Sequence, residues 1–135
     1  MHASKEIGFS VKALPVNPQP TCDAQPVGLD DRPLTRYSVD LLVQTKDVKL
    51  ARTYDSNYEG QLRIDLVAWD RYGDGHKKFW KELGIDLRPE SYAAAESAGI
   101  PAHFEIDLPE SAVFLEAGVY DWNAGKVGTV EVSLR

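Results

Sequence analysis

From Val113 to Arg135, apolar and polar residues alternate on both sides of Asp121-Trp122-Asn123-Ala124-Gly125-Lys126. Leu115, Ala117 and Val119 fall on one face of the first segment, and Val130, Val132 and Leu134 on one face of the second. Glu116, Thr129, Glu131 and Ser133 point the other way. A period of two with one apolar face is the pattern of a strand that is buried on one side and wet on the other. The turn residues between the segments join them into a hairpin, which needs a second layer to cover its apolar side.

The same period recurs upstream. Ile7, Phe9, Val11 and Ala13 alternate in a short first strand, assigned to residues 7–13. Residues 14–33 follow as a proline-rich loop holding Pro15, Pro18, Pro20, Pro26 and Pro33, a composition that cannot sustain a ladder of hydrogen bonds. Tyr37, Val39, Leu41 and Val43 alternate next, then a short strand is expected around Val48 and Leu50, and a polar turn from Tyr54 to Gly60. Leu62, Ile64, Leu66 and Ala68 form the clearest strand, closed by the turn Asp70-Arg71-Tyr72-Gly73-Asp74-Gly75.

Between His76 and Leu87 the pattern fits either a strand or one helical face through Phe79, Trp80 and Leu83. A strand is favoured, because Gly75 ends a hairpin turn and Gly84 would weaken a helix. Pro89 to Ala98 reads as a short helix, with proline in its first turn, alanines within it and Gly99 past its end. Phe104, Ile106 and Leu108 alternate after it. Many short strands with turn chemistry at close spacing, and one crossover helix, predict an all-β, immunoglobulin-like antiparallel sandwich. The whole of 1–135 reads as a single domain, with the main sandwich over 34–135.

Charge and cysteine content narrow the partners. Against 21 Asp and Glu stand 15 Lys and Arg, a formal charge of -6, and there is no basic block. Nucleic acid is therefore not expected as a partner, and neither is insertion into a membrane, since no apolar run is long enough to span one. Cys22 is the sole cysteine, which excludes an internal disulfide. The first residues lack the apolar core of a signal peptide, although a piece of a longer exported protein would lack one too.

Several segments come in one characteristic order. They are Val67-Ala68-Trp69-Asp70 with its Gly-Asp-Gly turn, Leu87-Arg88-Pro89-Glu90-Ser91-Tyr92, Gly99-Ile100-Pro101-Ala102-His103, Asp107-Leu108-Pro109, and Gly118-Val119-Tyr120-Asp121 followed by Gly125-Lys126-Val127-Gly128-Thr129-Val130-Glu131. From Leu34 to Arg135 this order resembles the region after the A-type domain in the VWFA-related proteins described from Acidobacteria. That resemblance implies an exported or surface-associated parent with a von Willebrand A-type domain upstream. The Asp-x-Ser-x-Ser metal motif of such a domain is missing, since Asp55-Ser56-Asn57 fails at its third position.

Candidate chemistry is sparse. Asp55 to Gly60 has oxygen-bearing residues at alternate positions and glycine at the sixth, as a calcium loop does, but Leu66 stands where the bidentate glutamate belongs, so a polar turn is the better reading. His76 and His103 lack zinc-ligand spacing, and Cys22 has no histidine near it in sequence. No nucleophile elbow, phosphate loop or dinucleotide fingerprint is present, so neither an enzyme nor a cofactor is expected. If the strands ending at Trp69 and Tyr120 run parallel, their loops share one end of the domain. Asp70, Tyr72, Asp74, Asp121, Trp122 and Asn123 then form one contact surface for a ligand or partner, with a weak calcium site at Asp70, Asp74 and Asp121. Asp55 and Glu59 are placed at the opposite end. Trp69, Val67, Leu42 and Tyr120 fall on outward faces, to be covered by the proline-rich loop or the helix, or else left to dock a partner domain. The expected role is a protein-interaction or spacer module of a larger exported protein, with a calcium- or small-ligand-binding sandwich using loops 70–75 and 121–125 as the alternative.

Overall fold

Alternation at period two resolves into two antiparallel sheets packed face to face. The computed structural model describes residues 6–16, 34–73 and 75–134. In chain order the elements are β1 (Phe9–Pro15), β2 (Leu34–Val43), a 3-10 turn (Thr45–Asp47), β3 (Ala51–Arg52), β4 (Tyr58–Asp70), β5 (Gly75–Leu87), α1 (Pro89–Ala98), β6 (Ile100–Pro109), β7 (Ala112–Asp121) and β8 (Lys126–Ser133). One sheet runs β1-β2-β6. In the other, β4 pairs β5 along one edge and both β3 and β7 along the opposite edge, and β7 pairs β8.

Parity decides which residues lie between the sheets. Leu62, Ile64, Leu66 and Ala68 of β4, and Leu115, Ala117 and Val119 of β7, are fully buried. They share one core with Val39, Leu41 and Val43 of β2 and with Phe104, Ile106 and Leu108 of β6. Each large aliphatic side chain there contributes about 1.5–3 kcal/mol by leaving water. Val132 packs at the rim of this core, partly buried. The two sides of the sandwich close differently. On one, the carbonyl of Ile7 approaches Gly128 so closely that a side chain there would collide with it. On the other, Lys81 reaches from β5 to β6, where its Nζ donates to the His103 carbonyl at 2.6 Å and lies 4.5 Å from the centre of the Phe104 ring. That lysine occupies an edge carbonyl that another strand would otherwise recruit.

In immunoglobulin lettering β1, β2 and β6 take the places of strands A, B and E, and β4, β7 and β8 those of C, F and G. β5 extends the second sheet as C′. α1 stands where strand D would and carries the chain from one sheet to the other. Pro89 opens it, and Gly99, at φ 90°, ends it by donating to the Ala95 carbonyl at 2.8 Å. The helix is fastened to one end of the sandwich by Tyr92, stacked on Tyr58 at 3.8 Å, and by the Thr45 hydroxyl, which donates to the Ala95 carbonyl at 2.5 Å.

The all-β sandwich with one short helix agrees with the expectation, and the ambiguous segment up to Leu87 is a strand. The short strand expected around Val48 and Leu50 lies instead at Ala51–Arg52, because Thr45 to Asp47 turn as a 3-10 helix that buries Val48 and Thr45. β4 also starts earlier than expected, taking Tyr58 to Gly60 out of the polar turn. Cys22, Asp74 and most of the proline-rich loop lie outside the described residues.

Candidate functional site

The two acidic loops do not meet. β4 and β7 are antiparallel neighbours, with Arg63 opposite Tyr120 and Asp70 opposite Ala112. Asp70 and Asp121 thus sit at opposite ends of the sheet, separated by about 30 Å of strand. The expected parallel relation is that of strands B and F, whereas the strand ending at Trp69 is C, one place later in the order. Asp121 instead shares its end with the Asp55 turn and Glu59, from which it was expected to be remote. Asp74, the third member of the weak calcium site, is outside the described residues.

Each aspartate has a local structural task. Asp121 is almost completely buried at the end of β7, on its inward side. One carboxylate oxygen accepts from the Asn123 and Ala124 amides at 3.1 and 3.3 Å, and the other from the Lys49 amide at 2.7 Å. It thereby holds the F–G turn and ties it to the B–C connection, the backbone donors compensating for the burial of its charge. Asp70 accepts from the Tyr72 amide at 2.8 Å across the C–C′ turn. Tyr72 and Trp122 stand exposed beside these turns, at 82% and 68% of their full accessibility.

What the topology does bring together is aromatic. All three tryptophans belong to β4, β5 and the F–G turn, on or beside the outer face of the β5-β4-β7-β8 sheet. Across the sheet Trp69 pairs with Phe114, and Trp80 with Asp65, which in turn pairs with Gly118. Trp80 is 62% exposed and Phe114 43%. Two of the exposed rings, Trp80 and Trp122, are braced by neighbours. The Arg63 guanidinium lies 4.9 Å from the centre of the Trp80 ring, and its Nε is held by Asp65 at 3.0 Å. Tyr120 folds back over Gly118, where a side chain would crowd its ring, and Trp122 stacks on Tyr120 at 5.6 Å with the planes 14° apart. Trp69 is only partly exposed, and its indole Nε1 is buried without a hydrogen-bond partner.

Two glutamates complete it. Glu116 and Glu131 are directly opposed on β7 and β8. Burial, and then the charge of Glu131, raise the pKa of Glu116 above the ordinary carboxylate value. The outer face of the other sheet is different: there Arg36 pairs with Asp107 at 3.0 Å and His103 Nδ1 with Asp40 at 2.7 Å. Leu42 is half exposed on that face, next to Pro101. No group of three or more His, Cys, Asp or Glu side chains is arranged to hold a metal among the described residues. No described helix is long and apolar enough to cross a membrane.

Of the residues read as outward-facing, Trp69, Val67 and Tyr120 all contribute to this face. Trp80, Phe114 and Arg63 did not stand out in the sequence. The available signal was parity: once Phe79, Leu83, Ile85 and Leu87 are assigned inward, Trp80 has to point out. Fold and surface together define an immunoglobulin-like sandwich with a preoriented aromatic face on its C′-C-F-G sheet. The chain matches no protein family, no curated protein and no solved structure.

Proposed function

We propose that the domain is a non-enzymatic protein-interaction module of a larger exported or surface-associated protein, and that its contact surface is the outer face of the β5-β4-β7-β8 sheet. One observation carries the reading: the three tryptophans of the chain gather at one sheet, two of them more than half exposed and both braced by a neighbouring side chain. Tryptophan, tyrosine and arginine are the residues on which interface binding energy concentrates, and rings already held in place lose little freedom on docking. Core packing does not require them there, which favours an interaction module over a passive spacer. The best-defined carboxylate, Asp121, is consumed by backbone hydrogen bonds, in keeping with a non-enzymatic role. The exported parent follows from the resemblance to the region after the A-type domain of VWFA-related proteins. The acidic charge weighs against nucleic acid as the partner.

The test replaces Trp80 and Trp122 together by serine. The wild-type domain should retain a specific protein from an extract of its source cells, and the double variant should lose it while its melting temperature stays close to that of the wild type. Undiminished capture by a folded double variant would remove this face from the function.

A further inference from the structure

We infer that the partner docking on this face presents an arginine or lysine set among apolar side chains, with the cation seated on Glu116 and Glu131; the inference rests on the reading of the face as the contact surface. Carboxylates outnumber cations on the outer face, where Arg63 and Lys78 stand against Glu59, Asp65, Glu82, Asp86, Glu116 and Glu131. Arg63 is engaged by Asp65 at 3.0 Å, and Glu82 accepts from Gln61 at 3.0 Å. Glu116 and Glu131 oppose each other across neighbouring strands, and no cation among the described residues forms an ion pair with either. Like charges directly opposite on a sheet are destabilising, and one cation between them converts the repulsion into two attractions.

The surroundings of the pair fit the rest of such a residue. In the same row stands Val67, which separates the pair from Lys78 on β5, and in the next row Trp69 beside the exposed Phe114. A lysine or arginine stem packs on apolar surface of this kind while its charged head reaches the carboxylates. The net charge of -6 steers a basic partner toward the domain from a distance. A second copy docked with its two-fold axis at the pair is the wrong occupant, because it would set the two copies' glutamates against each other. A polysaccharide offers C–H faces to the rings but leaves the two carboxylates repelling each other.

The experiment titrates the isotopically labelled whole chain with a short synthetic peptide of alternating arginine and leucine, and with matched peptides carrying glutamine or glutamate in place of arginine. A β-linked glucose oligosaccharide serves as the non-protein probe. Chemical shifts are followed at the Trp80 and Trp122 indoles and at the Glu116 and Glu131 amides. The arginine peptide should bind saturably at these positions and more tightly than the glutamine peptide. In the double variant Glu116→Gln, Glu131→Gln its affinity should fall about tenfold or more, with no loss of melting temperature. Asp107→Asn, on the other sheet, should leave the affinity unchanged. Equal binding of the arginine and glutamine peptides, equal binding to the Glu116/Glu131 double variant, or a response to the oligosaccharide alone overturns the basic partner. The contact face itself fails separately, if the folded Trp80/Trp122 double variant still captures its protein.

Discussion

The outer faces of the two sheets are built from the same strand pattern and finished differently. On β1-β2-β6 Arg36 meets Asp107 and His103 Nδ1 meets Asp40 across neighbouring strands, and the exposed apolar side chains are aliphatic, Leu14, Leu34 and Leu42. On β5-β4-β7-β8 the register sets Glu116 against Glu131 and leaves Trp80 and Phe114 exposed. Neither difference follows from the fold, because both sheets turn equivalent apolar sides to one core. The register of the first face sets no like charges opposite each other. The second face keeps an electrostatic mismatch and exposed rings, features that gain a purpose when another surface covers them.

The comparison breaks most readily at the core that both faces share. Leu66 is fully buried at the centre of β4. Leu66→Ala should destabilise the domain by about 2–5 kcal/mol through lost burial and the cavity left behind, measured by urea unfolding. A cost well below that range would mean that the sheets are not packed on one interior, and the contrast between their outer sides would lose its basis. The next largest effect is expected at Asp121, which underpins the turn carrying Trp122. Asp121→Ala leaves three backbone amides without their carboxylate acceptor and should cost about 2 kcal/mol. The aromatic signal in the near-ultraviolet circular dichroism should also weaken as Trp122 loosens from Tyr120. Since Asp70 and Asp121 lie at opposite ends of the sheet, added calcium should leave the melting temperature of wild type and variant unchanged.

Much of the fold was legible because period-two alternation is a local signal. Leu62 to Ala68 and Leu115 to Val119 declare their buried side within a few residues, and Pro89 with Gly99 mark both ends of α1. The candidate site was not legible in the same way, because it depends on which strands are neighbours. Asp70 and Asp121 look equivalent in sequence, as turn aspartates with an aromatic residue within the next two positions. Pairing alone separates them, and placing the strand before Trp69 one position too early in the sandwich reversed the answer. The aromatic face was half visible: the outward parity of Trp69, Val67 and Tyr120 could be read directly. Trp80 was hidden by the helix-or-strand ambiguity of its segment, and Phe114 by its place at the start of the hairpin. The Glu116–Glu131 contact required the register of β7 on β8, which the length of the turn constrains and the structure defines.

The finest distinction between the two faces is a pH effect at Glu116. Its pKa lies above the ordinary carboxylate value because partial burial penalises the charged form and Glu131 repels it. The native state therefore holds this proton more tightly than the unfolded chain does. Stability contributed by the protonated form is present in acid, and falls as pH rises through the interval between the ordinary value and the raised one. Above that interval the full penalty applies. Glu116→Gln should remove this fall, so that melting scans from acid to neutral pH show the variant gaining on the wild type as pH rises and no advantage at the acid end. Glu131→Gln should reproduce the gain in part, by relieving the repulsion without changing the burial of Glu116. Should neither variant change the pH profile, the two carboxylates carry no mismatch, and the faces differ in their aromatic residues alone. A gain in both would show that the isolated domain gives up stability at the position where the proposed partner's cation is seated.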